Sequence, residues 1–170
     1  QRGIVNSLRF ALSRLGINEA DTDVLVSFIG PPLHESFRKR YKFSDEDARR
    51  AVAHYREYFA EKGIYENELY PGIAAFLEKL SDRGTAMMIA TTKPGIYAGK
   101  IVEHFNLAGY FRAVRGSNLD GTMMEKAELI GSLVEGLSLR RSATVMVGDR
   151  KYDILGARAN GIDSIGVEYG

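Results

Sequence analysis

The chain has 170 residues, 45% hydrophobic and 26% charged, with a net charge of +1 and no cysteine. That length can bury a real core in one domain or two small ones. The near-neutral balance, with Lys and Arg interleaved among Asp and Glu, offers no field for nucleic acid or a membrane surface. Without cysteine there are no disulfides or thiolate metal sites, which fits a reducing cytoplasm, and no apolar run reaches the ~18–20 residues of a membrane-spanning helix.

The first seventy residues predict helices and no strand. Val5, Leu8, Leu12 and Leu15 recur at helical spacing, and Gly16 ends the run. GPPLHESF breaks a helix at Pro31-Pro32 and starts another. Ser44 is placed to cap a helix whose first turn is Asp45-Glu46-Asp47. Its predicted buried stripe is Ala48, Val52, Tyr55 and Phe59, and its stop is Gly63. This is a small helical bundle over residues 1–70. Arg38, Lys39 and Arg40 read as a solvated basic face. His34, His54 and His104 lack metal-like spacing and read as structural or surface residues.

After Pro71-Gly72 the rhythm changes. A helix with Ile73, Phe76, Leu77 and Leu80 ends at Gly84 and gives way to the apolar run AMMIAT, Ala86 to Thr91. A helix over Tyr97 to Phe105, the short run RAVRGS and a helix from Glu125 to Leu137 follow. SATVMVGD, Ser142 to Asp149, is continuously apolar, which suits a strand covered on both faces. Asp153 to Asn160 reads as helix and Ser164 to Val167 as a last strand. Strands alternating with helices imply an α/β fold with a doubly wound parallel sheet over residues 71–170.

Ligands of such sheets gather at the carboxyl ends of the strands. The first strand exits into Thr91-Thr92-Lys93-Pro94, where a hydroxyl and backbone N–H groups before a helix suit a phosphate; a plain capped turn would look the same. The strand ending at Gly148 exits into Asp149-Arg150-Lys151-Tyr152-Asp153. Two carboxylates four apart could hold a hard cation such as Mg²⁺. Alternatively, Asp149 closes a turn and Asp153 caps a helix. Lys126 opens a helix, where a cation opposes the helix dipole. It is either a solvated surface lysine or a partner for bound phosphate. The string LDGT, Leu119 to Thr122, looks like an aspartyl nucleophile motif, but Asn118 precedes Asp120 by two. Asp120-Gly121 is a turn dipeptide on its own terms.

In series, IATTKP with Thr91, GSNLDGTMMEK with Lys126, and MVGDRKYDILGA with Asp149 and Asp153 resemble three of the four motifs of the haloacid dehalogenase superfamily. The branch they resemble is the phosphoglycolate phosphatase-like one. The spacings suit it: 35 residues from Thr91 to Lys126 and 23 more to Asp149. The resemblance implies a helical cap domain over 1–70 and an α/β core over 71–170, incomplete at both ends. It also implies Mg²⁺-dependent hydrolysis of a small phosphorylated metabolite, phosphoglycolate- or nucleoside-monophosphate-like, through an aspartyl-phosphate. Thr91, Thr92, Lys93 and Lys126 would bind the phosphoryl group, with Thr91 and Lys126 catalytic, and Asp149 and Asp153 would serve the metal. A cytoplasmic monomer or homodimer binding neither nucleic acid nor membrane is expected.

The family's first motif, Asp-x-Asp-Gly-Thr on a central strand before the cap, has no counterpart in Gln1 to Asn18. The expectation is therefore a chain without the first central strand and its nucleophile, and LDGT becomes the approach to Lys126. If so, AMMIAT and SATVMVGD should not pair with each other. A non-catalytic relative that binds a phosphorylated ligand or a protein partner is the alternative. A Rossmann-type nucleotide binder is disfavoured by the absence of Gly-x-Gly-x-x-Gly after a strand.

Overall fold

The computed structural model describes residues 1–120 and 122–169. Two compact units divide the chain, Gln1–Leu69 and Tyr70–Gly170.

The first unit is helical: α1 (Arg2–Arg14), α2 (Thr22–Val26), α3 (Leu33–Tyr41) and α4 (Asp45–Glu61). Val5, Leu8 and Leu12 line one face of α1 and are buried against α4. Gly16 follows with φ 77°, a left-handed turn that a Cβ would disfavour. Pro32 occupies the N-cap of α3, where its missing N–H costs nothing. At α4 the Ser44 hydroxyl accepts from the Asp47 N–H at 3.1 Å, and three acidic residues fill the positive first turn. The buried stripe of α4 is Ala48, Ala51, Tyr55 and Phe59. Val52, expected inside, is only half-buried, and Ala51 takes its place in the stripe. Phe37 and Leu25 close this core. Gly3 and Gly63 meet so closely that a Cβ on Gly3 would overlap the Gly63 carbonyl, which lets Gly3 N–H bond Glu66 O at 3.1 Å.

The second unit runs α5 (Ile73–Asp82), β1 (Met87–Pro94), α6 (Gly95–His104), β2 (Phe111–Ser117), α7 (Lys126–Gly136), β3 (Val145–Gly148), α8 (Lys151–Ala159) and β4 (Asp163–Gly166). All pairing is parallel, as a βαβ chain requires. The sheet is in two pieces: β1 pairs with β2, β3 with β4, and β1 and β3 are not hydrogen-bonded to each other. One core, with Leu77, Met87, Val102 and Leu107, packs α5 and α6 on the first pair. A second, with Ile130, Val134, Ala157 and Ile162, joins α7 and α8 to Met146 of β3 and to Ala90 of β1. Helix α7 therefore packs on β1 and β2 and is joined to the β3–β4 pair through α8.

Four expectations are corrected. β1 does not exit at Thr91 but continues to Pro94 through a register shift. β3 starts only at Val145, since Arg141–Ala143 form a 3₁₀ turn. It is not covered on both faces: Val145 and Val147 are each 50% exposed while Met146 packs inward. An apolar run does not distinguish covered from uncovered faces, and among the described residues only one face of β3 carries helices. Phe76, read as part of the α5 stripe, is also exposed.

Candidate functional site

The sequence-marked residues lie at the carboxyl ends of β1 and β3 and the amino ends of α7 and α8. Lys126 is the first residue of α7. Its stem runs inward past Gly156, where an added Cβ would come within 3.1 Å of Lys126 Cγ. Its Nζ donates to the Ala90 carbonyl at 2.8 Å and lies 2.9 Å from Asp153 Oδ1. It is not the solvated surface lysine that its position on a helix also allowed: the side chain is 13% exposed.

Asp153, 4% exposed, serves two partners. Oδ1 takes the Lys126 ammonium, and Oδ2 accepts the Arg150 N–H at 3.0 Å, closing the first turn of α8. The cap reading of Asp153 is thus met by one oxygen, while the other is held by Lys126. Gly148 makes room for it, since a Cβ there would overlap Asp153. Asp149 differs. Its side chain is 37% exposed and its nearest cation is Arg150 Nε at 3.5 Å. Asp149 and Asp153 therefore do not face outward as a matched ligand pair, and among the described residues no group of three or more His, Asp or Glu is placed to hold a metal.

On β1, Thr91 follows the carbonyl held by Lys126. Its Oγ1 accepts from the Lys93 N–H at 3.2 Å, which leaves its O–H to donate elsewhere. Thr92 is exposed, and its carbonyl accepts from Ser117 Oγ at 2.8 Å. Lys93 is half-buried, and desolvation lowers its pKa below the ordinary lysine value. Sequence reasoning missed Ser117 and the Ala90 carbonyl. The only signal for Ser117 was its place at the end of RAVRGS, and a carbonyl carries none.

LDGT is a turn. Asp120 Oδ1 accepts from the Thr122 N–H at 2.9 Å, and Asn118 N–H bonds Thr122 O at 3.0 Å. The Thr122 hydroxyl, donating to Asp120, holds that carboxyl below its usual range. Gly121, the other half of the predicted dipeptide, lies outside the described residues.

The fold is α/β, and Thr91, Lys126, Asp149 and Asp153 gather at its strand ends. The haloacid dehalogenase-like hydrolase family model matches residues 1–167, and the chain belongs to that family. It is 46% identical over 170 residues to a 5'-nucleotidase of Pseudomonas aeruginosa, covering all of this chain and 77% of that protein. It is 34% identical over 169 residues to the tyrosine-protein kinase PtkA of Mycobacterium tuberculosis, covering 99% of this chain and 57% of that one. A crystal structure of a predicted phosphatase from Clostridium acetobutylicum superposes with a TM-score of 0.85 at 43% identity, over 99% of this chain and 78% of that chain.

Proposed function

We propose that the chain supplies the phosphoryl-binding side of a phosphatase that hydrolyses small phosphate monoesters, phosphoglycolate- or nucleoside-monophosphate-like, with Mg²⁺ and through an aspartyl-phosphate. One observation carries this reading: the Lys126 ammonium is pinned between Ala90 O and Asp153 Oδ1 where β1, α7 and α8 converge. An ammonium has three N–H donors. Two are committed, and the third is positioned for a phosphoryl oxygen without any reorganisation when charge develops.

The Thr91 hydroxyl would donate to a second phosphoryl oxygen. The amino end of α6 favours the same charge. Lys93, already short of solvent, would regain its proton's stability beside an anion. The donor set suits a hard cation, which accepts one or two carboxylates and completes its shell with water and phosphate oxygens. Asp149 would hold Mg²⁺, and Asp153, with both oxygens engaged, would keep Lys126 and the start of α8 in place beside it. Bound there, the ion would neutralise phosphoryl charge.

The carboxylates that attack phosphorus and exchange the proton are not in this cluster. This reading takes them from a parallel strand seated between β1 and β3, which pair with β2 and β4 but not with each other. The helical unit is read as a cap that selects substrate.

The test is phosphate release by the full-length protein from phosphoglycolate and from nucleoside monophosphates, with Mg²⁺ and with chelator. A tyrosine-containing peptide plus ATP serves as the competing acceptor arm, given the kinase-named relative. Mg²⁺-dependent release to water is expected. A protein that binds phosphate but releases none would instead be the non-catalytic relative.

A further inference from the structure

We infer that Gly116 and Ser117, at the end of β2, are positioning residues that mould the phosphoryl-binding exit of β1. This rests on the reading of Thr91 to Lys93 given above. In the parallel register Thr91 pairs with Gly116 and Pro94 with Ser117. Two consecutive residues of β2 therefore face four of β1, and Thr92 and Lys93 are forced out of the ladder as a bulge. Bulges of this kind bend a strand and re-aim its side chains.

Two features of β2 hold the bulge. Ser117 is 5% exposed, and its hydroxyl donates to the Thr92 carbonyl at 2.8 Å, satisfying a group that the ladder no longer pairs. Gly116 has no Cβ. One placed there would press on the Lys93 carbonyl and stand 2.6 Å from both N and Cα of Gly95, so the bulge and the start of α6 could not close onto β2. With the bulge so fixed, the Lys93 N–H reaches Thr91 Oγ1, which orients that hydroxyl. Ser117 touches no reacting atom. It sets where Thr91 and the N–H groups after it stand.

The experiment is calorimetric titration of the full-length protein with inorganic phosphate, together with KM for p-nitrophenyl phosphate. Wild type is compared with Ser117→Ala, Ser117→Cys and Ser117→Thr, each melted by circular dichroism. Loss of one hydrogen bond of ordinary strength corresponds to roughly a five-fold change. Phosphate Kd and KM should both rise by about that factor in Ser117→Ala well below its melting temperature, and Ser117→Thr, which keeps the hydroxyl, should recover most of it. Ser117→Cys, a poor donor of similar size, carries the same expectation if the alanine variant does not fold. Unchanged Kd and KM in folded Ser117→Ala or Ser117→Cys would overturn the inference, as would a threonine variant no better than alanine. Lys126→Met separates this from the underlying reading. Phosphate binding that depends on Lys126 but not on Ser117 removes only the inference, whereas binding indifferent to Lys126 removes the site itself.

Discussion

Lys126 Nζ and Asp153 Oδ1 are 2.9 Å apart, with side-chain exposures of 13% and 5%, and the same ammonium holds Ala90 O on β1. A buried charge removed from its partner leaves the other uncompensated, so this contact is a structural tie as well as the core of the proposed site. It reaches across the two half-sheets, from a strand of one to the helix that follows a strand of the other.

Asp153→Ala should therefore destabilise the folded full-length protein by about 3–5 kcal/mol. Asp149→Ala, at a partly exposed carboxylate four residues away, should stay within about 0.5 kcal/mol. Urea denaturation of both variants checks this. Equal costs would mean that the two carboxylates are equivalent, contrary to their surroundings. Activity should fall in both.

Lys93 gives a pH signature. Its folded pKa is lowered from the ordinary 10.5 by desolvation, so the unfolded chain binds the proton more tightly. The cost of burying the ammonium is fully present below the lowered folded value, and stability rises as pH climbs from there towards 10.5. Lys93→Met removes that cost. It should melt higher than wild type at neutral pH, by a margin that shrinks as pH approaches 10.5, and it should bind phosphate more weakly. A margin that grows with pH would contradict the assigned cause.

Ser44→Ala should cost about 1 kcal/mol of stability, the usual value for an N-cap whose hydroxyl accepts a backbone N–H. Ser44→Asp should retain most of it. Chemical denaturation of the three proteins decides the point, and an alanine variant as stable as wild type would show that the first turn of α4 is held by packing alone.

The elements that were legible in the sequence are those with a local cause. Val5, Leu8 and Leu12 mark a helical face, Ser44 before three acidic residues marks a helix start, and Asp120 marks a turn. Spacing in series also marked Thr91, Lys126, Asp149 and Asp153 as one constellation. What was not legible depends on partners distant in sequence. The Ala90 carbonyl is 36 residues from Lys126, and Ser117 is 25 from the carbonyl it binds. The different surroundings of Asp149 and Asp153 follow from burial. The uncovered face of β3 follows from what packs on it, and Val145 and Val147 would read the same in either setting.

The most direct measurement is turnover of the full-length protein and its Lys126→Ala variant on a phosphate monoester with Mg²⁺, at a temperature where circular dichroism shows both folded. Loss of one preorganised donor to the transferring group corresponds to ~3–4 kcal/mol of transition-state stabilisation, so turnover should fall at least ~100-fold. Turnover near that of wild type would contradict the assignment of Lys126 and, with it, the phosphoryl site.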